Sequence, residues 1–296
     1  MATVAADESP IRRLASDFAA NPLAVAGLVL LAVIVLLAIL APLISPQNPY
    51  DLGELDLVDS RLPPGSVSAG GMTYWLGTDD QGRDMLSAIF YGLRISLFVG
   101  VVSTLLALAL GLSLGLAAAY FGGRIETLIM RIADIQLSFP AILIALILLA
   151  VLGQGMLKIV AALVTVQWAY YARTVRAAAL VEKRKEYIEA ARCLALSPAR
   201  IVLHHMLPNC LPPLIVVATV QVAAAIALEA TLSFLGLGLP ITEPSLGLLI
   251  ANGYQYLLSG KYWISFFPGL ALVLTIVGIN LVADQLRDAV NPRLRR

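Results

Sequence analysis

From Pro22 to Ile44 the chain runs without one charged side chain, and five further stretches come close to repeating that pattern. A helix needs about 20 consecutive apolar residues to cross the hydrocarbon core of a bilayer. At that depth the backbone has no water to bond with and must satisfy itself inside a helix or a closed barrel. Six segments meet or approach that length: Pro22 to Ile44, Ile95 to Phe121, Ile132 to Leu152, Leu157 to Leu180, Leu211 to Leu237 and Ile264 to Ala283. They predict an all-α integral membrane protein with six transmembrane helices. With 59% hydrophobic and 13% charged residues the chain is not an ordinary soluble domain, in which about a quarter of residues are charged. The first run exceeds the roughly 7–15 apolar residues of a signal-peptide core and is expected to remain as a span. The fourth is the weakest, because Gln167, Arg173, Thr174 and Arg176 interrupt it, and its last turns are expected to leave the membrane.

Six spans place both termini on one side. Of the 20 Lys and Arg residues, Arg61, Arg83, Arg94, Lys158 and Lys261 fall on one side. All the others, from Arg12 and Arg13 through Arg173, Arg176, Lys183 and Arg192 to Arg293, Arg295 and Arg296, fall on the opposite side. The positive-inside rule then predicts cytoplasmic termini and a cytoplasmic loop at 186–209. The outer loop from Ser45 to Arg94 is acidic, with Asp51, Glu54, Asp56, Asp59, Asp79, Asp80 and Asp84. The net charge of +1 gives no reason to expect a nucleic-acid partner. Cys193 and Cys210 are too few for a disulfide framework and read as free thiols in a reducing compartment.

The 186–209 loop, EYIEAARCLALSPARIVLHHMLPN, is a charged, Ala-rich insert between apolar runs. Its composition favours helix up to Leu196, and Ser197-Pro198 then supplies an N-cap and a first-turn proline. The expectation is helix, short turn, helix, with Ile188, Ala191, Leu194 and Ala195 on one side of the first helix. Ala190, Ala191 and Ala195 would leave room for another protein to approach, although an amphipathic helix on the membrane surface fits the same pattern.

Several chemistries lack their signatures. A P-loop needs Gly, four residues, then Gly-Lys-Ser/Thr. The Gly260-Lys261 pair is followed by Tyr262 and has Gln255 at the required upstream position, so this chain is not expected to hydrolyse ATP. His204 and His205 are adjacent, so a helix splays them about 100° apart, and no Cys/His cluster accompanies them. Gly111 and Gly115 have the small-xxx-small spacing of helix packing. Glu229 lies inside the fifth apolar run, where an ionised carboxylate costs about 2.5–3.5 kcal/mol. It is expected at a helix interface or on a pathway, as are the weaker candidates Gln167, Gln221 and Asn280. The outer segment from Gly238 to Trp263 is too short of apolar residues to span and reads as amphipathic or re-entrant.

Glu189-Ala190-Ala191 followed by His205-Met206-Leu207-Pro208-Asn209 resembles the EAA motif of permease subunits of ATP-binding-cassette (ABC) importers. NPLAVAGLVLL, WLGTDDQGRDMLSAIFYGLRISL, MRIADIQLSFPAILIAL, EATLSFLGLGLP and FPGLALVLTIVGINLVADQLRDAVNPR resemble the dipeptide, oligopeptide, nickel and glutathione permeases, in that family's order. The likeness is strongest to the second, dipeptide permease C type of subunit. It implies a type I ABC importer permease fold. It divides the chain into a tail, first span and outer loop over 1–94, a transmembrane domain over 95–284, and a cytoplasmic tail over 285–296. It further implies that Glu189, Ala190, Ala191, Arg192, Ala195, Leu196, Ser197, Pro198, Leu207 and Pro208 form a coupling helix docked on an ATPase.

The implied partners are a second homologous permease, two ABC ATPase subunits, an external substrate-binding protein and the bilayer of a bacterial inner membrane. ATP and Mg would be used by the ATPases, and this chain would bind no cofactor. Dipeptides or oligopeptides are the implied substrates, with nickel complexes or glutathione as the alternative; an autonomous secondary transporter is the reading outside the family. The chain departs from the family pattern at Ala195 (usually Gly), Ser245 (usually Trp), Ala283 (usually Gly) and Asn291 (usually Asp).

Overall fold

A computed structural model describes residues 18–290 apart from Leu52, Glu54 and Ala69, and excluding the side chains of Ala289 and Val290. Arg12, Arg13, Glu54, Asn291, Arg293, Arg295 and Arg296 therefore lie outside the described residues. Helix α1 (Pro22–Ile44) begins as its sequence predicts, with Pro22 in the first turn and the Asn21 side chain accepting from Leu23 N at 3.0 Å. Asn21 also donates to Gln285 at 2.8 Å, which ties the start of α1 to the last helix.

Between the first two spans lies a folded module. It holds a two-residue hairpin, β1 (Ser66–Val67) antiparallel to β2 (Thr73–Tyr74), with Ser66 opposite Tyr74 and Val67 opposite Thr73. Beneath it the Arg83 guanidinium, with a side chain only 1% exposed, donates to Asp79 at 2.6 Å and reaches the Ile241 carbonyl at 3.3 Å. Tyr74 donates to Asp59 at 2.9 Å. Of the acidic residues in this stretch, Asp59, Asp79 and Asp84 are buried. Asp84 caps α2 (Met85–Phe121), accepting from Ser87 N at 2.8 Å and Ser87 Oγ at 2.6 Å. This cap starts the helix well before the expected Ile95.

The expected third span, Ile132 to Leu152, is broken. Helix α3 (Gly123–Leu137) and helix α4 (Ala141–Leu152) meet at 92°. Pro140 is the cause: it has no N–H to donate and pushes the residue before it out of the helical region. Helix α5 (Met156–Glu182) then runs unbroken against α2. The Gly111 and Gly115 pair makes this possible, since a Cβ at Gly111 would sit 2.5 Å from Trp168 O and one at Gly115 would sit 2.6 Å from Ala172 O. Small residues at helix spacing let two backbones touch, as in membrane helix dimers.

After the short helix α6 (Glu186–Cys193) and one helical turn, α7 (Pro198–Arg200), the chain passes through a π-helical stretch at Ile201–Met206 directly into α8 (Leu207–Phe234). The second helix of the predicted pair is thus the beginning of the next span. Helix α9 (Leu246–Tyr254) lies among α2, α8 and the final helix α10 (Trp263–Val290). The approach is close: a Cβ at Gly247 would sit 2.4 Å from Ala230 O. Within the 238–263 segment, residues 244–249 are thus buried against the bundle, while 257–260 stay exposed.

Among the described residues, four helices are long and apolar enough to span, and the bent α3–α4 pair makes five if taken as one. Helix α5 has the length, at 27 residues, but carries Lys158, Arg173, Arg176 and Glu182. The expected six spans stand at four or five on this measure because α5, long enough, is too polar along its length.

Candidate functional site

The 186–209 loop is built on an apolar underside. Ile188 and Ala191 of α6 are buried with Tyr171 and Val175 of α5 and Ile201, Met206 and Cys210 of the following helix. Tyr187 donates to Glu182 and accepts from Asn209 at 3.0 Å, and Glu182 also pairs with Lys185 at 2.6 Å. Burial first, and then its bond to Glu182, push the Tyr187 phenol up to about 12, so it stays a neutral donor at ordinary pH.

Helix α6 stops at Cys193, three residues short of the expected Leu196. Ala195 takes φ +54°, its N–H reaches Arg192 O at 2.9 Å, and Leu196 N reaches Ala191 O at 3.2 Å. That pair of bonds is the Schellman motif, whose left-handed residue is usually glycine. Ala195 accepts the strain of that turn, where it was expected to prolong the helix. Ser197 caps the next turn as predicted, accepting from Arg200 N at 3.4 Å, with Pro198 behind it.

The early stop also redistributes the faces. Ala191 is turned into the chain's own core, Leu196 is half-buried, and Leu194, expected beside Ile188, is 74% exposed. Glu189, Ala190, Arg192, Ala195, Ser197 and Pro198 are exposed; Leu207 is half-buried and Pro208 exposed at the start of α8. Among the described residues, neither Glu189 nor Arg192 forms an ion pair. The arrangement is a rigid knuckle with a small polar and apolar outer face.

The intramembrane candidates divide. Glu229 is fully buried, accepting from Ser96 of α2 at 3.0 Å and from Ser233 one turn on at 2.8 Å. The Ser245 hydroxyl interacts with the same carboxyl and caps α9, accepting from Leu248 N at 3.2 Å. Ser245 is thus a buried link between α8 and α9, not the free outer-loop residue its position suggested. Gln167 donates to the Gln221 carbonyl at 3.2 Å, joining α5 to α8. Asn280 is exposed on α10 and is not brought to either pair.

The sequence reading saw Arg173 and Arg176 only as interruptions. The structure gives each a partner on α3: Arg173 to Asp134 at 2.6 Å, and Arg176 to Glu126 through both Nε and Nη2. Gln136, on the same helix, donates to Val166 O at 3.0 Å and accepts from Trp168 Nε1 at 2.6 Å. The clue was the polar residues of α3 themselves, but the bend that lays them along α5 could not be read beforehand.

Residues 109–296 match the family described as binding-protein-dependent transport system inner membrane component. This chain belongs to that family. Residues 9–64 of the permease also match a second model, the N-terminal TM domain of oligopeptide transport permease C. Its relatives include the Di/tripeptide transport system permease protein DppC of Pseudomonas aeruginosa, 37% identical over 97% of this chain and 93% of that protein. The Dipeptide transport system permease protein DppC of Haemophilus influenzae is 36% identical over 98% and 97%. The Oligopeptide transport system permease protein OppC of Bacillus subtilis is 37% identical over 94% and 88%.

In fold the permease resembles the methionine ABC transporter MetNI in an inward-facing conformation, with a TM-score of 0.56 at 23% identity over 70% of this chain and 98% of that one. The fold is that of a type I ABC importer permease. Permease subunits of this family carry no ATPase domain of their own.

Proposed function

We propose that this permease carries dipeptides or oligopeptides inward across a bacterial inner membrane, as half of a pathway completed by a second homologous permease. Two ABC ATPase subunits, using ATP and Mg, drive alternating access, and an external binding protein delivers the peptide. Both termini and the 186–209 loop face the cytoplasm. The observation that carries the coupling reading is the knuckle itself: its underside is locked into α5 and α8 through Ile188, Ala191 and the Tyr187–Asn209 bond, while Glu189, Ala190, Arg192 and Leu194 are left outward. Force applied to such a face is transmitted to the spans with little loss in loop deformation. The peptide reading rests on the relatives named above.

Purification of the tagged chain from its native membrane in mild detergent, with mass spectrometry of what accompanies it, tests the assembly. A Glu189→Lys sample run alongside is expected to keep the second permease and lose the ATPases. Recovery of the chain alone in both samples would overturn the reading. Uptake of a labelled dipeptide by the wild-type complex in vesicles tests the substrate, and uptake of a nickel complex or glutathione in its place would move it to the alternative.

A further inference from the structure

The chain enters α8 with too few backbone donors. Prolines stand at 208, 212 and 213, and proline has no N–H. In an α-helix the amides at those positions would serve the carbonyls of His204, Pro208 and Asn209, each four residues back. Just ahead of them lies the π-helical stretch Ile201–Met206, after which Leu207 N reaches Val202 O, five residues back. Wide turns and prolines are the places where helices bend. The start of α8 is therefore poorly braced by its own backbone, and it is the part to which the knuckle is joined.

The two flanks of this segment differ. On one, Ile201, Met206 and Cys210 are buried with Leu116 and Ala119 of α2 and Tyr171 of α5. On the other, a cavity of about 500 Å³ opens between Leu112, Ala117 and Tyr120 of α2 and Ala199, Leu203 and Leu207. Packing resists movement in one direction and leaves room in the other.

A chain of polar contacts crosses the segment. Glu182, at the end of α5 and 8% exposed, pairs with Lys185 and accepts from the Tyr187 hydroxyl. Tyr187 in turn accepts from Asn209 Nδ2 at 3.0 Å, and the same nitrogen donates to His205 O at 2.9 Å. One side-chain amide thus takes a carbonyl of the π-helical turn and ties it, through one phenol, to α5. The end of α5 is itself held to α2, because Lys183 Nζ donates to Ala119 O and Tyr120 O, each at 2.8 Å. The Tyr187 oxygen serves both neighbours, so a phenylalanine there would keep the ring and lose both bonds.

We propose that Tyr187 is a positioning residue for coupling. Through Asn209 it holds the π-helical turn against α5, so that load on the knuckle moves α8 instead of flexing the turn into the cavity. This deepens the coupling reading and rests on it. Ile188 and Ala191 anchor the knuckle by burial, which has no preferred direction. The Tyr187–Asn209 bond adds direction, because a hydrogen bond weakens steeply once it is bent.

The test uses the assembled transporter in vesicles, with uptake of a labelled dipeptide and ATP hydrolysis measured on the same sample. Tyr187→Phe is expected to keep the ATPases on copurification and to lower the dipeptide moved per ATP at least fivefold. Asn209→Ala is expected to do the same. The double variant should be no worse than the poorer single, because the residues share one interaction. A normal ratio in Tyr187→Phe, or losses that multiply in the double variant, would overturn the clasp. Amide hydrogen exchange on the detergent-solubilised complex gives a readout independent of transport. Exchange across 202–207 should rise about tenfold in Tyr187→Phe, as expected for the loss of one or two hydrogen bonds, and unchanged exchange there would also overturn the proposal. If the wild-type complex moves no dipeptide, the exchange result decides alone. If no ATPase copurifies with the wild-type chain, the coupling reading fails and the positioning role falls with it, whereas ATPases present with a normal ratio in the variant sink the clasp only.

Discussion

The hairpin module between the first two spans and the 186–209 knuckle handle charge in opposite ways. Arg83 and Asp79 are sealed together under the hairpin and joined to the Ile241 carbonyl, and Glu229, deeper in the bundle, is enclosed by Ser96, Ser233 and Ser245. In the knuckle, Glu189, Arg192 and Arg200 stand in solvent above an apolar underside of Ile188 and Ala191. A buried charge network commits its residues to one arrangement, because each is costly to leave unpaired. An exposed charged face on a packed base commits only the base. The first is thus a consolidated layer, and the knuckle is an open charged face on a packed base.

The largest effect should come from the sealed pair. Arg83→Ala leaves Asp79 buried without its cation and is expected to cost about 3–5 kcal/mol, seen as a drop in Tm of the detergent-solubilised protein. An unchanged Tm would mean the hairpin module is not consolidated through this pair. In the other region, Ile188→Ala removes the buried foot of the knuckle and should cost about 2–4 kcal/mol. The exposed neighbour Leu194, replaced by Ala, should move stability by no more than about 0.5 kcal/mol while lowering ATP-driven uptake. Loss of stability from both, or from neither, would erase the distinction between base and face.

Glu229→Gln keeps a group that the three surrounding hydroxyls can bond, so uptake within twofold of wild type is expected if the residue is a link between α8, α2 and α9. A near-total loss would show that the carboxyl itself is needed. A small gain is expected at the strained turn: Ala195→Gly should stabilise the knuckle by about 0.5–1 kcal/mol, read as slower hydrogen exchange at the Leu196 amide.

The hairpin module should also respond to pH. Burial and the neighbouring Asp79 raise the Asp80 carboxyl above its ordinary range. The folded state then binds a proton more readily than the unfolded chain, so this residue's contribution to stability increases as pH falls through the raised value and decreases as pH rises. Asp80→Asn should flatten that part of the stability profile.

Much of the molecule was legible in its residues, and particular positions show why. The apolar runs around α1, α2, α8 and α10 announce themselves because lipid leaves so few backbone options, and Ser197-Pro198 and Gly111/Gly115 announce a cap and a contact through local chemistry alone. Other features were hidden. Ala195 reads as helix by propensity, yet the Schellman bonds from Ala195 and Leu196 outweigh it. Ser245 reads as loop, yet it is buried against Glu229. Asp134 and Glu126 carry no label that assigns them to Arg173 and Arg176.

The sequence by itself determined that the chain is a membrane-embedded helical bundle with a charged loop between two of its apolar runs, because the hydrophobic effect and backbone desolvation act on composition and period. Only the tertiary structure decided which charges are sealed, which are shared between helices and which are left open. Those outcomes depend on the 92° bend at Pro140 and on distances between residues far apart in the chain, which no local pattern encodes.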